Sequence, residues 1–145
     1  MNTVEKVSQW CAEQGERFTP TRQLVLEILA DQAQAVTAYQ LLDLLQQRMP
    51  QAKPPTVYRA LEFLLKTGSV HRIDSQNAFK VCSDFPHRHD AAFFVCRGCG
   101  AVNEVNTKHL PLDALRKEAA ERRFVIEHTT LEVSGRCADC QVLTV

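Results

Sequence analysis

Cys96-Arg97-Gly98-Cys99-Gly100 is the stretch from which the rest of the chain can be ordered. A Cys-x-x-Cys that runs into glycine is a knuckle: two thiolates converge on one point, and Gly98 and Gly100 are expected to take the positive φ angles the reversal needs. A knuckle needs partners, and Cys137-Ala138-Asp139-Cys140, just behind Gly135, provides them. Cys96, Cys99, Cys137 and Cys140 together complete a closed tetrahedral shell of the kind that favours structural Zn(II). Two disulfides or two redox dithiols are the competing reading. A redox Cys-x-x-Cys opens a helix after a strand, however, whereas Gly100-Ala101-Val102 reads as a strand leaving a turn.

Outward from the knuckle, residues 91–96, 101–105 and 124–133 read as strands and 112–122 as a helix, a β-β-α-β unit with both knuckles at strand ends. With 145 residues the chain has room for one domain or two small ones, and a small unit gains from a metal clip because the binding free energy of structural zinc becomes folding free energy. The chain opens with Glu5, Lys6, Glu13, Glu16 and Arg17 and no apolar run, so neither a signal peptide nor a membrane span is expected. A cytoplasmic protein with reduced thiols fits that pattern. Seventeen basic and 17 acidic side chains give no basic footprint, so any DNA-binding role must rest on a motif.

Upstream lies such a motif. Val4, Val7, Trp10 and Cys11 recur at helical spacing before Gly15, which places Cys11 on an apolar stripe as a small buried hydrophobe. Thr19-Pro20 starts a second helix, with Leu24, Val25, Ile28 and Leu29 on one side. Thr37 and Gln40 form the capping box of a third, whose stripe is Leu41, Leu44 and Leu45 and whose end is assigned to Pro50. Pro54-Pro55 presets a fourth over residues 56–66, with Gly68 as its exit. On this helix Val57, Ala60, Leu61, Leu64 and Leu65 share one side, Arg59, Glu62 and Lys66 lie opposite, and Thr56 and Tyr58 sit on the flanks. Residues 69–74 and 77–82 then form a hairpin through Ser75-Gln76.

Helices followed by a hairpin are the winged form of a helix-turn-helix, in which the helix before the hairpin enters the major groove. The expectation is thus an α+β protein: a winged-helix DNA-binding domain over residues 1–82, a hinge over 83–90 containing Pro86, and a small α/β dimerisation domain over 91–145. Arg59 suits a bidentate contact to guanine, Tyr58 an apolar contact to a thymine methyl, and Lys53, Thr56 and Arg22 contacts to phosphates.

A second set of metal-ligand types remains. His71, Cys82, His89 and Glu104 offer two imidazoles, a thiolate and a carboxylate, a mixed set suited to Zn(II), with His87 as the competitor for His89. One thiolate tilts selection toward zinc and away from iron or manganese. His109 and His128 read as structural or surface residues.

Gly15-Glu16-Arg17-Phe18-Thr19-Pro20-Thr21-Arg22, Pro54-Pro55-Thr56-Val57-Tyr58-Arg59-Ala60-Leu61 and the two knuckles together resemble the ferric uptake regulator family, most nearly its zinc-responsive branch, over almost the whole chain. The resemblance implies a homodimeric repressor of zinc-uptake genes on double-stranded operator DNA. It also implies two Zn(II) per chain: one structural in the four cysteines, and one regulatory, held by His71, Cys82, His89 and Glu104. The histidine cluster before the first knuckle is thinned here to Pro86-His87-Arg88-His89-Asp90, which points away from the iron- and peroxide-responsive members. A chain stopping at Val145 gives no expectation of a third, tail-borne site. Outside the family, a zinc deaminase lacks its His-x-Glu and Pro-Cys-x-x-Cys here, and four thiolates leave no open position for water, so no enzyme and no small-molecule substrate are expected. A zinc-buffering or protein-docking module is the other alternative.

Overall fold

Asn2 begins the first helix, α1 (Thr3–Gln14), by accepting the Glu5 N–H at 2.8 Å while Glu5 accepts the Asn2 N–H at 3.0 Å; Gly15, at φ 71°, ends it. The computed structural model describes residues 1–86 and 90–142, apart from the side chain of His109. Two compact units follow one another along the chain, Met1–Arg88 and His89–Val145.

In the first unit, Thr19 and Thr37 cap α2 (Pro20–Ala30) and α3 (Ala38–Gln46), and α4 (Pro54–Thr67) takes both prolines into its first turn. The third helix stops at Gln46, well before Pro50. Two residues the sequence pattern gave no strand, β1 (Val36–Thr37), pair with β3 (Ala78–Val81), which also pairs with β2 (Val70–Ile73), giving an antiparallel sheet in the order β1-β3-β2. Helices α2, α3 and α4 with this wing make a winged helix-turn-helix around Leu26, Leu41, Leu45, Leu61 and Leu64, all essentially without solvent contact. Cys11 is buried among them. Phe85 is buried in the same core and meets Trp10 edge-on at 6.0 Å, so the segment expected as hinge includes a core residue.

The buried side of α4 departs from the helical-wheel expectation. Leu65 is exposed, whereas Phe63 and Thr67 are buried beside Val57, Ala60, Leu61 and Leu64. The Arg22 guanidinium covers Phe63 at 3.9 Å from the ring centroid, which closes a side that periodicity alone leaves to solvent.

The second unit is β4 (Asp90–Cys96), β5 (Val102–Val105), a 3-10 turn (Thr107–His109), α5 (Asp113–Glu121), β6 (Thr129–Gly135) and α6 (Ala138–Gln141). Its strand order is β5-β4-β6, with β4 antiparallel to β5 and parallel to β6, the parallel pair being joined through the intervening β5 and α5. Strand β6 begins five residues later than expected, at Thr129. Arg123 at φ 55° and the Phe124 N–H to Ala119 carbonyl bond of 2.8 Å close α5, and the pairing of Asp90 with Thr129 leaves the preceding residues opposite no strand. Among the described residues, no helix is long and apolar enough to cross a membrane.

Candidate metal centre and nucleic-acid interface

Parallel pairing builds the cysteine centre. Cys96 ends β4 and stands opposite Gly135, the end of β6, so Cys137 lies only two residues beyond the point where the strands finish together. The Arg97 N–H donates to the Gly135 carbonyl at 2.8 Å and locks the two ends. The first knuckle turns through Gly100 at φ 80°, with the Gly100 N–H on the Cys96 carbonyl at 3.0 Å. The second turns differently: Cys137 is the N-cap of α6 and Cys140 lies within that helix.

Gly98 is needed for a reason other than the one the sequence suggests. It does not take a positive φ; instead, a Cβ there would stand 2.7 Å from Cys140 Sγ. Space, not backbone freedom, requires glycine at this position.

The sulfurs of Cys96, Cys99, Cys137 and Cys140 all lie within 4.8 Å of one another, and Cys99 and Cys137 are 3.8 Å apart. Four sulfurs on a Zn–S shell of about 2.3 Å stand roughly 3.8 Å apart along each tetrahedral edge. The spacing therefore fits Zn(II), and no disulfide joins any of the six cysteines. Backbone N–H groups converge on Cys96 Sγ, from Cys137 at 3.3 Å, Cys99 at 3.5 Å and Gly98 at 3.3 Å, and hold its thiol down to about 5. The Cys96 sulfur, followed by those of Cys137 and Cys99, pushes the Cys140 thiol up to about 12. One thiolate is prepared by the backbone; all four together require a cation.

In the first unit, His71 lies in β2 opposite Lys80 and is half-buried, while Cys82 follows β3 and is buried. Their ligand atoms are within 4.8 Å of each other. The Cys82 N–H donates to the Ser69 carbonyl at 2.8 Å, and Cys82 Sγ accepts the Asp84 N–H at 3.4 Å. In the second unit Glu104 is half-buried on β5, opposite Phe93. His87 and His89 lie outside the described residues. His128 is exposed immediately before β6.

On α4, Arg59, Glu62 and Lys66 are exposed together, and Tyr58 keeps 59% of its surface in solvent. An aromatic ring so exposed on a helix otherwise anchored in a core is available for a partner. Lys53 is exposed at the entry to α4, and its N–H donates to Thr56 Oγ1 at 3.3 Å, which leaves the hydroxyl proton of Thr56 available. Arg22 is more engaged than the sequence suggests: besides covering Phe63, its Nη1 donates to the Arg17 carbonyl. Tyr39, on α3, is 79% exposed, and no sequence motif distinguishes it from any other surface aromatic.

A winged helix-turn-helix followed by an α/β unit with a four-cysteine centre defines a class, a DNA-binding fold with a metal clip. The model of the ferric uptake regulator family matches residues 13–134, and the chain belongs to that family. It is 44% identical over 131 residues to the zinc uptake regulation protein of Escherichia coli strain K12, covering 90% of this chain and 76% of that one. The peroxide operon regulator of Bacillus subtilis strain 168 is 31% identical over 134 residues, covering 88% of this chain and 86% of that one. Among solved structures, a zinc uptake regulator complexed with zinc and DNA matches 99% of this chain and 97% of its own at 40% identity, with a TM-score of 0.89.

Proposed function

We propose that this protein is a zinc-responsive transcriptional repressor that binds operators of zinc-uptake genes as a homodimer in the cytoplasm. The observation that carries the reading is the arrangement of α4: Tyr58 and Arg59 are exposed on a helix that Val57, Ala60, Leu61, Phe63 and Leu64 anchor in the core, directly before the wing that carries His71 and leads to Cys82. Arg59 and Tyr58 read bases, and Lys53, Thr56 and Arg22 hold phosphates. The reading includes no catalytic step and no small-molecule substrate.

Two Zn(II) ions per chain are proposed. Cys96, Cys99, Cys137 and Cys140 hold the structural ion. His71, Cys82, His89 and Glu104 hold the regulatory one, a donor set whose single thiolate favours zinc over iron or manganese. Bound zinc supplies a tetrahedral cross-link, and its effect on DNA affinity equals its preference for the DNA-competent arrangement; a shift from 1:99 to 99:1 needs about 5.5 kcal/mol of differential binding. Dimerisation is supported by Phe94 and Val133, register partners on β4 and β6 that are both exposed, and by Leu131 two residues before Val133.

A gel shift on a palindromic operator, with zinc or with chelator, tests the reading. Wild-type protein should bind only with zinc, and Cys82→Ser should keep one zinc per chain and the dimer yet lose zinc-dependent binding. Zinc-dependent binding by Cys82→Ser equal to wild type would remove Cys82 from the switch. A zinc-buffering or protein-docking module would show no specific shift at all.

A further inference from the structure

Thr67 and Ser69 are the only buried polar side chains among the described residues, and they flank the glycine that ends α4. Their hydroxyls are 2.8 Å apart and the Leu64 carbonyl lies 2.9 Å from Thr67 Oγ1 and 3.2 Å from Ser69 Oγ, so one hydroxyl donates to that carbonyl and the other to its neighbouring hydroxyl. Helix termination does not require them. Gly68, at φ 84°, already closes α4 through backbone bonds alone, the Ser69 N–H on the Leu64 carbonyl at 3.1 Å and the Gly68 N–H on the Leu65 carbonyl at 3.1 Å. The hydroxyls are therefore surplus to the cap. Two apolar groups of the same size would satisfy the packing without the desolvation that buried hydroxyls incur.

What the hydroxyls add is direction. They add a side-chain tie between the last turn of α4 and Ser69 to the backbone one, and the Ser69 carbonyl accepts the Cys82 N–H at 2.8 Å. The path runs from the Leu64 carbonyl through the two hydroxyls and the Ser69 peptide to the backbone of Cys82, entirely within the first unit. We infer that Thr67 and Ser69 are positioning residues that hold the recognition helix in a fixed orientation to Cys82, so that zinc held at Cys82 sets the angle at which Tyr58 and Arg59 meet DNA. This inference rests on the regulatory-site reading and deepens it.

The test uses full-length protein with zinc in the four-cysteine centre and Co(II) or zinc at the second site. Thr67→Val keeps shape and removes the hydroxyl; Ser69→Ala removes the other. Both should keep the Co(II)–thiolate absorption of Cys82 and wild-type operator affinity in chelator. Their zinc-induced gain in affinity should fall about tenfold, within the span of about two- to thirtyfold seen for residues on a coupling path. Thr67→Ser should restore it, an outcome that packing alone would not produce, since serine fills the space less well. A wild-type gain in both Thr67→Val and Ser69→Ala would overturn the inference, as would loss of the Co(II)–thiolate band in both, which would mean that the hydroxyls shape the ligand site itself. Failure of the underlying reading shows in a different sample: wild-type protein would then lack the zinc-induced gain, or its Co(II)–thiolate band would survive Cys82→Ser.

Discussion

Leu26 and Leu131 are the same residue type in the two units, yet Leu26 has no solvent contact and Leu131 is 41% exposed. The difference is general. In the first unit each of α2, α3 and α4 buries two or more large apolar side chains in one core. In the second, α5 buries only Ala119, β6 buries none of its residues, and Phe94, Leu115, Phe124, Val125 and Val133 are exposed. The first unit is held by hydrophobic burial. The second, on its own chain, has a thin core around Phe93 and four sulfurs at metal-binding distance. Equal-sized errors in the two units should therefore have opposite consequences.

The largest effect is expected from Cys96→Ser. Structural zinc in small domains contributes about 10–16 kcal/mol of apparent free energy, as much as or more than the total stability of an ordinary domain of about 5–15 kcal/mol. Zinc content should fall, and amide exchange should become fast in β4, β5 and β6 while α2 and α4 stay protected. Wild-type protection of β4 in a zinc-free variant would show that the thin core suffices. Leu26→Ala is the converse. It should cost about 2–5 kcal/mol in urea unfolding of the first unit, with zinc content unchanged. Zinc loss on Leu26→Ala would break the comparison.

Gly98→Ala comes next and sharpens the claim that the metal clip is sterically specified. The new Cβ would press on Cys140 Sγ at 2.7 Å, next to the Gly98 N–H that supports Cys96. Zinc affinity should fall on the order of tenfold or more, the range for groups that orient metal ligands. Gly135→Ala is the control, because nothing lies within 4 Å of its added Cβ and zinc affinity should not move. Equal affinities for the two variants, measured by competition with a chelator, would refute the steric account.

Much of this contrast was legible in the sequence because it was written locally. The caps at Thr19 and Thr37, the double proline and Gly68 mark helix ends through neighbours in sequence, and Cys-x-x-Cys marks a knuckle by spacing alone. What stayed illegible depends on distant partners. Strand β1 exists only because Val36 and Thr37 find Phe79 and Ala78, and β6 starts at Thr129 because β4 starts at Asp90. Phe63 falls on the polar side of the helical wheel and is nevertheless buried in the core cluster, with Arg22, from another helix, stacked on its ring. The knuckle pattern points to backbone freedom at Gly98, and only the approach of Cys140 reveals that volume is the constraint. In the candidate sites, residue types were readable and register was not: the parallel alignment of Cys96 with Gly135 brings the knuckles together, and no local pattern encodes it.

The smallest expected effect probes the first unit at an edge of its core. Thr37 accepts the Gln40 N–H at 3.1 Å while Gln40 accepts the Thr37 N–H at 2.9 Å, and Thr37 also pairs with Ala78 across β1 and β3. Thr37→Ala removes one of the two cap bonds and leaves the strand pairing, which is carried by backbone, so the loss should be about 1 kcal/mol in urea unfolding. Thr37→Ser keeps the hydroxyl and should restore most of it. Since neither change touches a sulfur, zinc content should be the same in all three proteins. A loss above about 3 kcal/mol, beyond what a single cap contributes, would mean that the two-residue strand had gone with the cap. In that case the core of the first unit depends on its edges more than the burial of Leu41 and Leu45 implies.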